Sequence, residues 1–313
     1  MPEFSVILPL YNKEDYITNT LESVLRQTVQ DFEVIIVDDG SVDRSAQIVS
    51  SFSDPRIRLF SPGHRGTSAT RNFGIRQARG RFVCLLDADD VWEKDFLQTA
   101  KRLLAAFPEA GMVCPAYQVA YGRRIVHPRW RSVDPEKDGL VRDFLEMATA
   151  PFWVCNSSNA VFRRETLDSF ATWFPETETV NEDYDFYIRI GTKVPVAFSP
   201  HVCCTYNRVS SSNARKAHAK RVVYSPVYMR TLDALEASAA PAQKLWVQEI
   251  RDRRMVPYLF SLLVTGERQK ARAVLADWDP TPVYRRHKAA LRACTALPSE
   301  ILYQIYQLRL LVF

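Results

Sequence analysis

Residues 82–90 read Phe82-Val83-Cys84-Leu85-Leu86-Asp87-Ala88-Asp89-Asp90, an apolar run that ends in three carboxylates. Such a run with polar residues at its end is typical of a buried strand. Ionised carboxylates are too costly to leave unpaired in a dry interior, so they must meet water, a cation or both. Mg²⁺ and Mn²⁺ prefer carboxylate oxygens and often complete their coordination with substrate phosphates. The stretch therefore suggests a metal-held phosphate site, although an acidic loop with Asp90 as helix N-cap before Trp92 would also suit it.

Two earlier apolar runs also end in polar residues. Residues 32–37 are followed by Asp38-Asp39-Gly40-Ser41, and residues 5–8 by Pro9-Leu10-Tyr11-Asn12-Lys13-Glu14. Between the runs, residues 16–27 and 43–52 have apolar positions at helical spacing, and Asp43 can cap the second helix. This β-α-β-α-β order predicts a parallel sheet with right-handed crossovers. Because ligands bind beyond the carboxyl ends of such strands, we expect one cleft lined by all three polar ends.

Five motifs occur in order along the chain: Pro9-x-Tyr11-Asn12, Val37-Asp38-Asp39-Gly40-Ser41, Arg71-Asn72-x-Gly74-x-x-x-Ala78-Arg79-Gly80, Leu86-Asp87-Ala88-Asp89-Asp90 and Asn181-Glu182-Asp183-Tyr184-Asp185. Together they resemble the family 2 glycosyltransferases, and the resemblance covers roughly the first two-thirds of the chain. It implies the α/β GT-A fold, with a mostly parallel central sheet flanked by helices. A dinucleotide-binding fold is disfavoured because no Gly-x-Gly-x-x-Gly follows the first strand.

The resemblance implies that the base of a nucleotide-sugar is bound by Asp39, with Asp38 supporting the turn. A carboxylate can accept a strong hydrogen bond from a base N–H. The alternative is that Asp-Asp-Gly-Ser is only a turn sequence, since Asp and Gly are favoured in turns. A UDP-sugar is the expected donor.

The loop after the first strand supplies further candidates. Pro9 fixes its own φ and helps to turn the chain outward. Tyr11 could stack on the base, and Asn12 or Glu14 could hydrogen-bond to base or ribose. In the alternative interpretation these residues are an ordinary loop, and Glu14 complements the dipole of the following helix.

The phosphates have three candidate ligands. Arg71 could bind the diphosphate or the base region through its planar guanidinium, unless it is a surface arginine. By resemblance, Asp89 binds a divalent ion, Mn²⁺ or Mg²⁺, that bridges the phosphates, and Asp87 contacts the ribose or the same ion. This ion would neutralise the charge that builds on the departing nucleoside diphosphate. Asp90 is expected to be structural.

Glu182-Asp183 begins a predicted helix that contains Phe186, Tyr187 and Ile190. Carboxylates in a first helical turn are often only caps. In family 2 enzymes, however, the matching Asp is the catalytic base, so the resemblance assigns deprotonation of the acceptor hydroxyl to Asp183. Glu182 would hold the helix end or touch the donor sugar. Trp153 and residues 156–159 are open candidates for sugar contacts or for the core.

Composition narrows the remaining classes. The net charge of +5 is only mildly basic, so no nucleic-acid partner is expected. The six cysteines form no C-x-x-C pair, which favours a reducing cytosol. We expect no signal peptide, because the chain goes almost directly into a predicted strand, and no transmembrane helix, because no apolar run of about 18 residues occurs.

The chain is predicted to consist of a catalytic domain, residues 1–212, and a helical C-terminal extension, residues 213–313. A linker is predicted at 210–213, followed by helices from Ala214 onward. Residues 283–313 combine basic residues with an apolar helix, which suggests either contact with a membrane surface or packing on this domain or on a second subunit of a homodimer.

The leading hypothesis is an inverting glycosyltransferase whose acceptor is a lipid-linked glycan of a bacterial surface polysaccharide or lipopolysaccharide. It would work in the cytoplasm, on the inner membrane face if the tail binds lipid. A nucleotidyltransferase is the enzymatic alternative, but residues 9–14 lack its Gly-rich phosphate loop. A non-catalytic nucleotide-sugar-binding or assembly protein is the third possibility, which Asp89 and Asp183 argue against.

Overall fold

The protein is described by a computed structural model that covers residues 1–208 and 224–309, with side chains up to residue 305. The chain divides into two compact units, residues 1–210 and residues 211–313. Each unit is considered by itself below.

The first unit contains ten strands and seven helices in its described part. The strands are β1 Phe4–Leu10, β2 Phe32–Asp38, β3 Ile57–Phe60, β4 Phe82–Leu85, β5 Val91–Trp92, β6 Met112–Tyr121, β7 Arg124–Val126, β8 Gly139–Leu140, β9 Val161–Arg163 and β10 Val196–Asn207. The helices are α1 Ile17–Leu25, α2 Ser45–Ser50, α3 Thr67–Gln77, α4 Phe96–Ala106, α5 Phe144–Ala148, α6 Arg164–Asp168 and α7 Glu182–Gly191.

All ten strands belong to one sheet, in the order β3-β2-β1-β4-β9-β6-β10-β5, with β7 beside β6 and β8 beside β10. Strands β1 to β4 pair in parallel. Strand β6 has the same direction as β4, because β9 is antiparallel to both. The predicted mostly parallel sheet flanked by helices is therefore confirmed. The carboxyl ends of β1, β2 and β4 lie at one edge of the sheet.

The alternation of side chains along β1 explains why helices cover both faces of the sheet. Leu8 packs in the same core as Leu21 of α1. Ile7, on the opposite face, meets α3, where a Cβ on Gly74 would lie only 2.3 Å from its Cγ2 atom. Glycine at this position lets α3 lie close against the sheet. Arg71 is three residues earlier on the same side of α3 and is thereby directed inward.

The second unit is helical in its described part. Its elements are α8 Pro226–Ser238, α9 Pro241–Val264, α10 Arg268–Asp277, a 3₁₀ turn Pro282–Tyr284, α11 Arg285–Cys294 and α12 Ser299–Arg309. Leu259, Leu275, Leu291 and Leu302 are among the residues of its own core. The C-terminal helical extension is thus present, as predicted.

Part of the predicted C-terminal organisation cannot be compared with the structure. The predicted linker at 210–213, the predicted helix start at Ala214 and residues 310–313 lie outside the described residues. Among the helices that the structure describes, none is both long enough and apolar enough to cross a bilayer.

Candidate active site

The carboxylate of Asp39 lies at the end of β2 and is held by backbone donors. It accepts hydrogen bonds from the N–H groups of Arg65 at 2.6 Å and Gly66 at 3.1 Å, just before α3 begins. The Nδ1 atom of His64 is 3.0 Å from Asp39 Oδ2, and its ring centroid is 5.1 Å from that of Tyr11. Asp39 is buried, whereas the Tyr11 ring is exposed. We call Tyr11, Asn12, Asp38, Asp39 and His64 the β2-end group.

The other two members of the β2-end group shape the adjoining loops. Asp38 Oδ1 accepts the N–H of Ser41 at 3.0 Å and so holds the turn after β2. Asn12 has a left-handed backbone with φ of 50°, and its Oδ1 accepts the N–H of Val42 at 2.9 Å. The loops after β1 and β2 are therefore tied to each other.

Pro9 lies inside a strand rather than in the turn, and Glu14 has a partner that the sequence did not indicate. Pro9 lies within β1, opposite Val37 of β2, so the outward turn begins only after the strand ends at Leu10. Glu14 lies before α1, which begins at Ile17. Its carboxylate accepts two hydrogen bonds from Arg44, one from the side-chain Nε at 3.0 Å and one from the backbone N–H at 3.2 Å. The carboxylate of Glu14 is thus directed at Arg44, just ahead of α1.

Alternating charges connect the end of β4 with the first turn of α7. Asp89 forms an ion pair with the ammonium group of Lys13, from the loop after β1. Asp87 Oδ1 accepts a bond of 2.8 Å from Arg71 NH2. The other terminal nitrogen, NH1, lies 3.6 Å from Glu182 Oε1. We call Lys13, Arg71, Asp87, Asp89 and Glu182 the β4-end group.

Burial and mutual repulsion set the protonation of the β4-end group. Burial raises the pKa of Asp87, which Arg71 opposes and Asp89 reinforces. Burial and the neighbouring carboxylate of Asp183 raise the pKa of Glu182 to about 7, against the attraction of Arg71. Although burial disfavours its charge, Asp87 and Glu182 raise the pKa of Arg71. Arg71 thus stays cationic, and the possibility that it is a surface arginine is wrong.

Asp183 follows Glu182 in the first turn of α7 and is half-buried. Its Oδ1 accepts the N–H of Tyr184 at 2.8 Å. The preceding residue, Asn181, has a left-handed backbone with φ of 58°, which marks a sharp entry into the helix. The chain thereby places Glu182 and Asp183 side by side on entry to α7, with Glu182 turned toward Arg71.

Asp90, the last carboxylate of the motif, has a structural role. Asp90 is fully buried and accepts bonds from the Ser158 hydroxyl and from the N–H of Asn207, at 2.7 Å in the second case. Burial raises the pKa of Asp90 well above its ordinary range, and Asp89 and Asp87 add to this. Its alternative role as an N-cap before Trp92 is wrong, because that residue belongs to β5.

The aromatic and amide candidates between the metal motif and α7 also contribute to packing. Trp153 is buried, and its Nε1–H donates to the carbonyl of Ala148 at 2.9 Å. Asn159 donates to the carbonyls of Pro115 and Val154 at 2.8 and 2.7 Å. Of the two roles left open by the sequence, the structure favours the core for Trp153 and Asn159.

Lys13 and His64 are site residues that sequence reasoning missed. Lys13 contacts a carboxylate 76 residues away, and His64 contacts both the backbone carbonyl and the carboxylate of Asp39, 25 residues away. The only local signal was position, because each lies in a loop beside a motif residue. Nothing in the spacing indicated which partner either side chain would meet.

The carboxylates at the end of β4 fit a hard divalent cation. Asp87 and Asp89 are separated by one residue, their charges repel, and the chain already directs a cationic side chain to each. Oxygen ligands of this type suit Mg²⁺ and Mn²⁺. Asp89 and Asp87 are thus the residues that would hold such an ion.

Comparison with known proteins extends this picture. A model of the family "Glycosyl transferase family 2" matches residues 5–170. The putative glycosyltransferase EpsH of Bacillus subtilis (strain 168) is 30% identical over 192 residues, which cover 58% of this chain and 54% of EpsH. The minor teichoic acid biosynthesis protein GgaA of the same organism is 39% identical over 104 residues, 31% of this chain and 23% of GgaA. The chain therefore spans less than two thirds of either relative.

Solved structures share the fold. Staphylococcus aureus TarS, residues 1–349 in complex with UDP, has a TM-score of 0.64 and 20% identity, covering 97% of this chain and 91% of that chain. The mannosyltransferase PcManGT of Pyrobaculum calidifontis, in complex with GDP-Man and Mn²⁺, has a TM-score of 0.57 and 20% identity, covering 98% and 87%.

The parallel sheet with acidic strand ends at one edge, together with these likenesses, defines a transferase of the GT-A fold. The chain belongs to glycosyl transferase family 2. The family resemblance and the GT-A fold indicated by the five motifs are therefore confirmed.

Proposed function

We propose that the chain is an inverting glycosyltransferase that moves a sugar from a nucleotide-sugar to an acceptor hydroxyl. The observation that carries this proposal is the β4-end group, in which Arg71 joins Asp87 to Glu182 beside Asp183. This arrangement puts the charges that a leaving diphosphate needs near a carboxylate that can accept the acceptor proton. The two functions of an inverting displacement thus meet at one edge of the sheet.

The β2-end group is the proposed nucleotide pocket. Asp39 binds the base, Tyr11 stacks on it beside His64, and Asn12 and Asp38 hold the loops in place. Pro9 and Glu14 support the same loop from β1 and from Arg44. A UDP-sugar is the proposed donor, since the TarS structure holds UDP, although PcManGT holds GDP-Man.

Asp89 and Asp87 are the proposed ligands of a divalent ion, Mn²⁺ or Mg²⁺. When bound, such an ion supplies positive charge that stabilises the departing diphosphate. Arg71 opposes the rise in the pKa of Asp87 that burial causes, and it orients this carboxylate from the protein side. Because Arg71 is buried and paired with two carboxylates, its role is to position them.

Asp183 is the proposed catalytic base. Glu182 is committed to Arg71, and its pKa of about 7 leaves it partly protonated near neutral pH. Asp183 meets a backbone N–H of its own helix, which leaves its carboxylate able to accept a proton. It would remove the acceptor hydroxyl proton as the oxygen attacks C1 from the face opposite the leaving group. One displacement of this kind inverts the anomeric centre.

The test is donor-dependent release of nucleoside diphosphate by the full chain, measured with a panel of nucleotide-sugars and Mn²⁺. We expect release with one donor, and expect Asp183→Asn to bind this donor normally but to lose transfer. Asp168→Asn, on the short helix α6, is the matched control. No release from any nucleotide-sugar, but pyrophosphate release from a nucleoside triphosphate with a sugar phosphate, would indicate a nucleotidyltransferase. Binding without any release would indicate a non-catalytic protein.

The proposed acceptor is a lipid-linked glycan of a bacterial surface polymer, at the cytoplasmic face of the membrane. GgaA, by its name, acts in teichoic acid biosynthesis, which supports a surface polymer as the product. In the second unit, Arg285, Arg286 and Arg292 are exposed, as are Val283 and Ile301. Basic and apolar residues of this kind suit an anionic membrane surface.

Flotation with anionic liposomes tests this surface. Truncation near Trp278 would remove Leu291 and Leu302 from the core, so substitution of exposed residues is cleaner. We expect Val283→Ser with Ile301→Ser to reduce flotation, and Leu245→Ser, at an exposed leucine of α9, to leave it unchanged. Flotation that no variant alters, or none at low salt, would make this segment a packing or dimer element.

A further inference from the structure

Lys13 reaches the metal-motif carboxylate Asp89 from a loop that is itself firmly held. Its backbone N–H donates to Ser45 Oγ at 2.7 Å, which ties the loop after β1 to α2. Its side chain extends away from this anchor, and the ammonium group pairs with Asp89. The Nζ atom also lies 5.9 Å from the centre of the Tyr16 ring. The loop is fixed, and the flexible part of Lys13 is the stem that carries the charge.

The two cations of the β4-end group differ in how firmly they are held. The Arg71 side chain is 6% exposed and is paired with both Asp87 and Glu182. The Lys13 side chain is 25% exposed and is paired with one carboxylate, Asp89. A lysine ammonium is a compact, strongly hydrated charge on a flexible stem, whereas arginine presents a rigid fork. Lys13 can therefore leave toward solvent, while Arg71 cannot leave without exposing buried charges.

We propose that Lys13 is an exchangeable counter-cation: it neutralises Asp89 while no donor is bound, competes there with the divalent ion, and moves to the donor phosphates when both arrive. This proposal rests on the proposed function, because it takes Asp89 as a metal ligand. Two positive charges cannot share one carboxylate without repulsion, so Lys13 lowers the affinity of the free protein for the ion. Lysine is also a good partner for phosphate, which gives its charge a second position.

The exchange couples metal binding to nucleotide binding. A diphosphate offers Lys13 a new anionic partner and thereby frees Asp89. The nucleotide should then raise metal affinity, and by linkage the metal should raise nucleotide affinity by the same factor. Without Lys13 this part of the coupling disappears. Lys13 thus makes the free protein a poor metal binder and the donor complex a good one.

The test measures Mn²⁺ binding to the full chain by calorimetry or by electron paramagnetic resonance, without turnover. In the absence of nucleotide, Lys13→Met should bind Mn²⁺ about tenfold more tightly than the wild type, because the competing charge is gone. Added UDP should tighten Mn²⁺ binding strongly in the wild type and much less in Lys13→Met. Lys13→Gln should behave like the methionine variant.

Two controls make the result specific. Lys101→Met removes the same charge from an ion pair with Glu3 and should leave Mn²⁺ affinity unchanged. Asp89→Asn should abolish the tight binding in both backgrounds. Any Mn²⁺ still bound belongs to another site, such as Asp95, His201 and Cys203, whose ligand atoms lie within 4.8 Å of one another. Adding His201→Asn to Asp89→Asn removes that contribution.

Equal Mn²⁺ affinity in the wild type and Lys13→Met, or the same gain in Lys101→Met, would overturn the proposal. So would equal UDP coupling in the wild type and in Lys13→Met. These outcomes are distinct from failure of the proposed function, which shows as no transfer from any donor. Tight Mn²⁺ binding in Lys13→Met, together with no transfer from any donor by the wild type, would support the exchange and reject the glycosyltransferase.

Discussion

The β2-end and β4-end groups both present carboxylates at the same sheet edge, but they balance the negative charge differently. Asp39 accepts from the backbone N–H groups of Arg65 and Gly66, whose positions are set by the start of α3. Asp87 and Asp89 instead face side-chain cations. Backbone donors cannot leave, whereas the ammonium group of Lys13, whose side chain is 25% exposed, can be exchanged. The β2-end group is therefore a fixed binding surface. In the β4-end group, bound ligands can change which positive charges neutralise the carboxylates.

The largest expected effect comes from removing one charge of the β4-end group. Asp89→Asn keeps the shape of the side chain and removes the charge that would hold the ion. We expect turnover to fall by about 10²-fold or more, in the range seen when one preorganised electrostatic contact is lost. The melting temperature should stay close to that of the wild type. Release of nucleoside diphosphate measures the first effect and thermal unfolding the second.

Glu22→Gln, at an exposed ion pair of α1, is the control for this charge change. Chelation of divalent ions should reproduce the Asp89→Asn loss in the wild type. Full activity in excess chelator would show that the β4-end group works without a metal, and that its cations are supplied by Lys13 and Arg71 alone.

A smaller effect, mainly on stability and affinity, is expected at the β2 end. Asp39→Asn would replace one carboxylate oxygen by an NH₂ group. This group would face the backbone N–H donors of Arg65 and Gly66 and leave one of them without an acceptor. We expect Asp39→Asn to cost about 1–3 kcal/mol of folding free energy and to weaken nucleotide binding. Asp38→Asn should cost less, because Asp38 accepts the N–H of Ser41 through one oxygen that Asn retains. Thermal unfolding and nucleotide titration of both variants measure the difference.

The protonation of Glu182 makes the charge balance sensitive to pH. Its pKa is raised from 4.5 to about 7, so the folded chain holds this proton more tightly than the unfolded chain. The corresponding stability is present below about pH 4.5 and is lost as pH rises through 7. Glu182→Gln has no carboxyl group to ionise. We expect its melting temperature to rise relative to the wild type between pH 5 and pH 8, by the equivalent of roughly 2–3 kcal/mol.

Asp183→Asn is the matched comparison for this pH series, because it removes the carboxylate that repels Glu182. It should shift the transition of Glu182 toward lower pH. A constant difference between Glu182→Gln and the wild type at all pH values would mean that Glu182 ionises normally and that Arg71 already compensates its burial.

The fold and the strand ends could be predicted because each rests on a local pattern. Apolar runs such as residues 82–86 can only be buried, and the polar residues that follow them must then lie at the sheet edge. The alternating order of strands and helices predicts a parallel sheet, and parallel strands bring their carboxyl ends together at one edge. This is why the sequence alone identifies Asp39, Asp87 and Asp89 as candidate site residues.

The partners of these residues could not be predicted, because each contact is long-range. Lys13 meets Asp89 across 76 residues, and Glu14 meets Arg44 across 30. Charge alone does not select one partner from 77 ionised side chains, since 41 are basic and 36 acidic. The sequence could not show whether the Trp153 ring packs in the core or faces a sugar, and only its burial in the structure favours the core.

The smallest effect expected concerns the ring contact between His64 and Tyr11. A contact of this kind contributes about 0.5–1.5 kcal/mol, which corresponds to a two- to tenfold change in affinity. His64→Ala should weaken nucleotide binding within this range, because Tyr11 loses the neighbour that orients it for stacking. Tyr11→Ala should weaken it further. The double variant should lose less than the sum of the two single effects, because the ring contact is shared, whereas the contact of His64 with Asp39 is not.

Mn²⁺ binding should be unchanged in both single variants, because His64 contacts Tyr11 and Asp39 in the β2-end group, whereas Asp89 belongs to the β4-end group. This separation is the sharpest check on the difference between the two groups. If His64→Ala changed Mn²⁺ affinity as strongly as Lys13→Met, the fixed surface and the exchangeable charges would be one coupled site. Backbone donors around Asp39 would then transmit the effect through α3, where Arg71 lies five residues after Gly66.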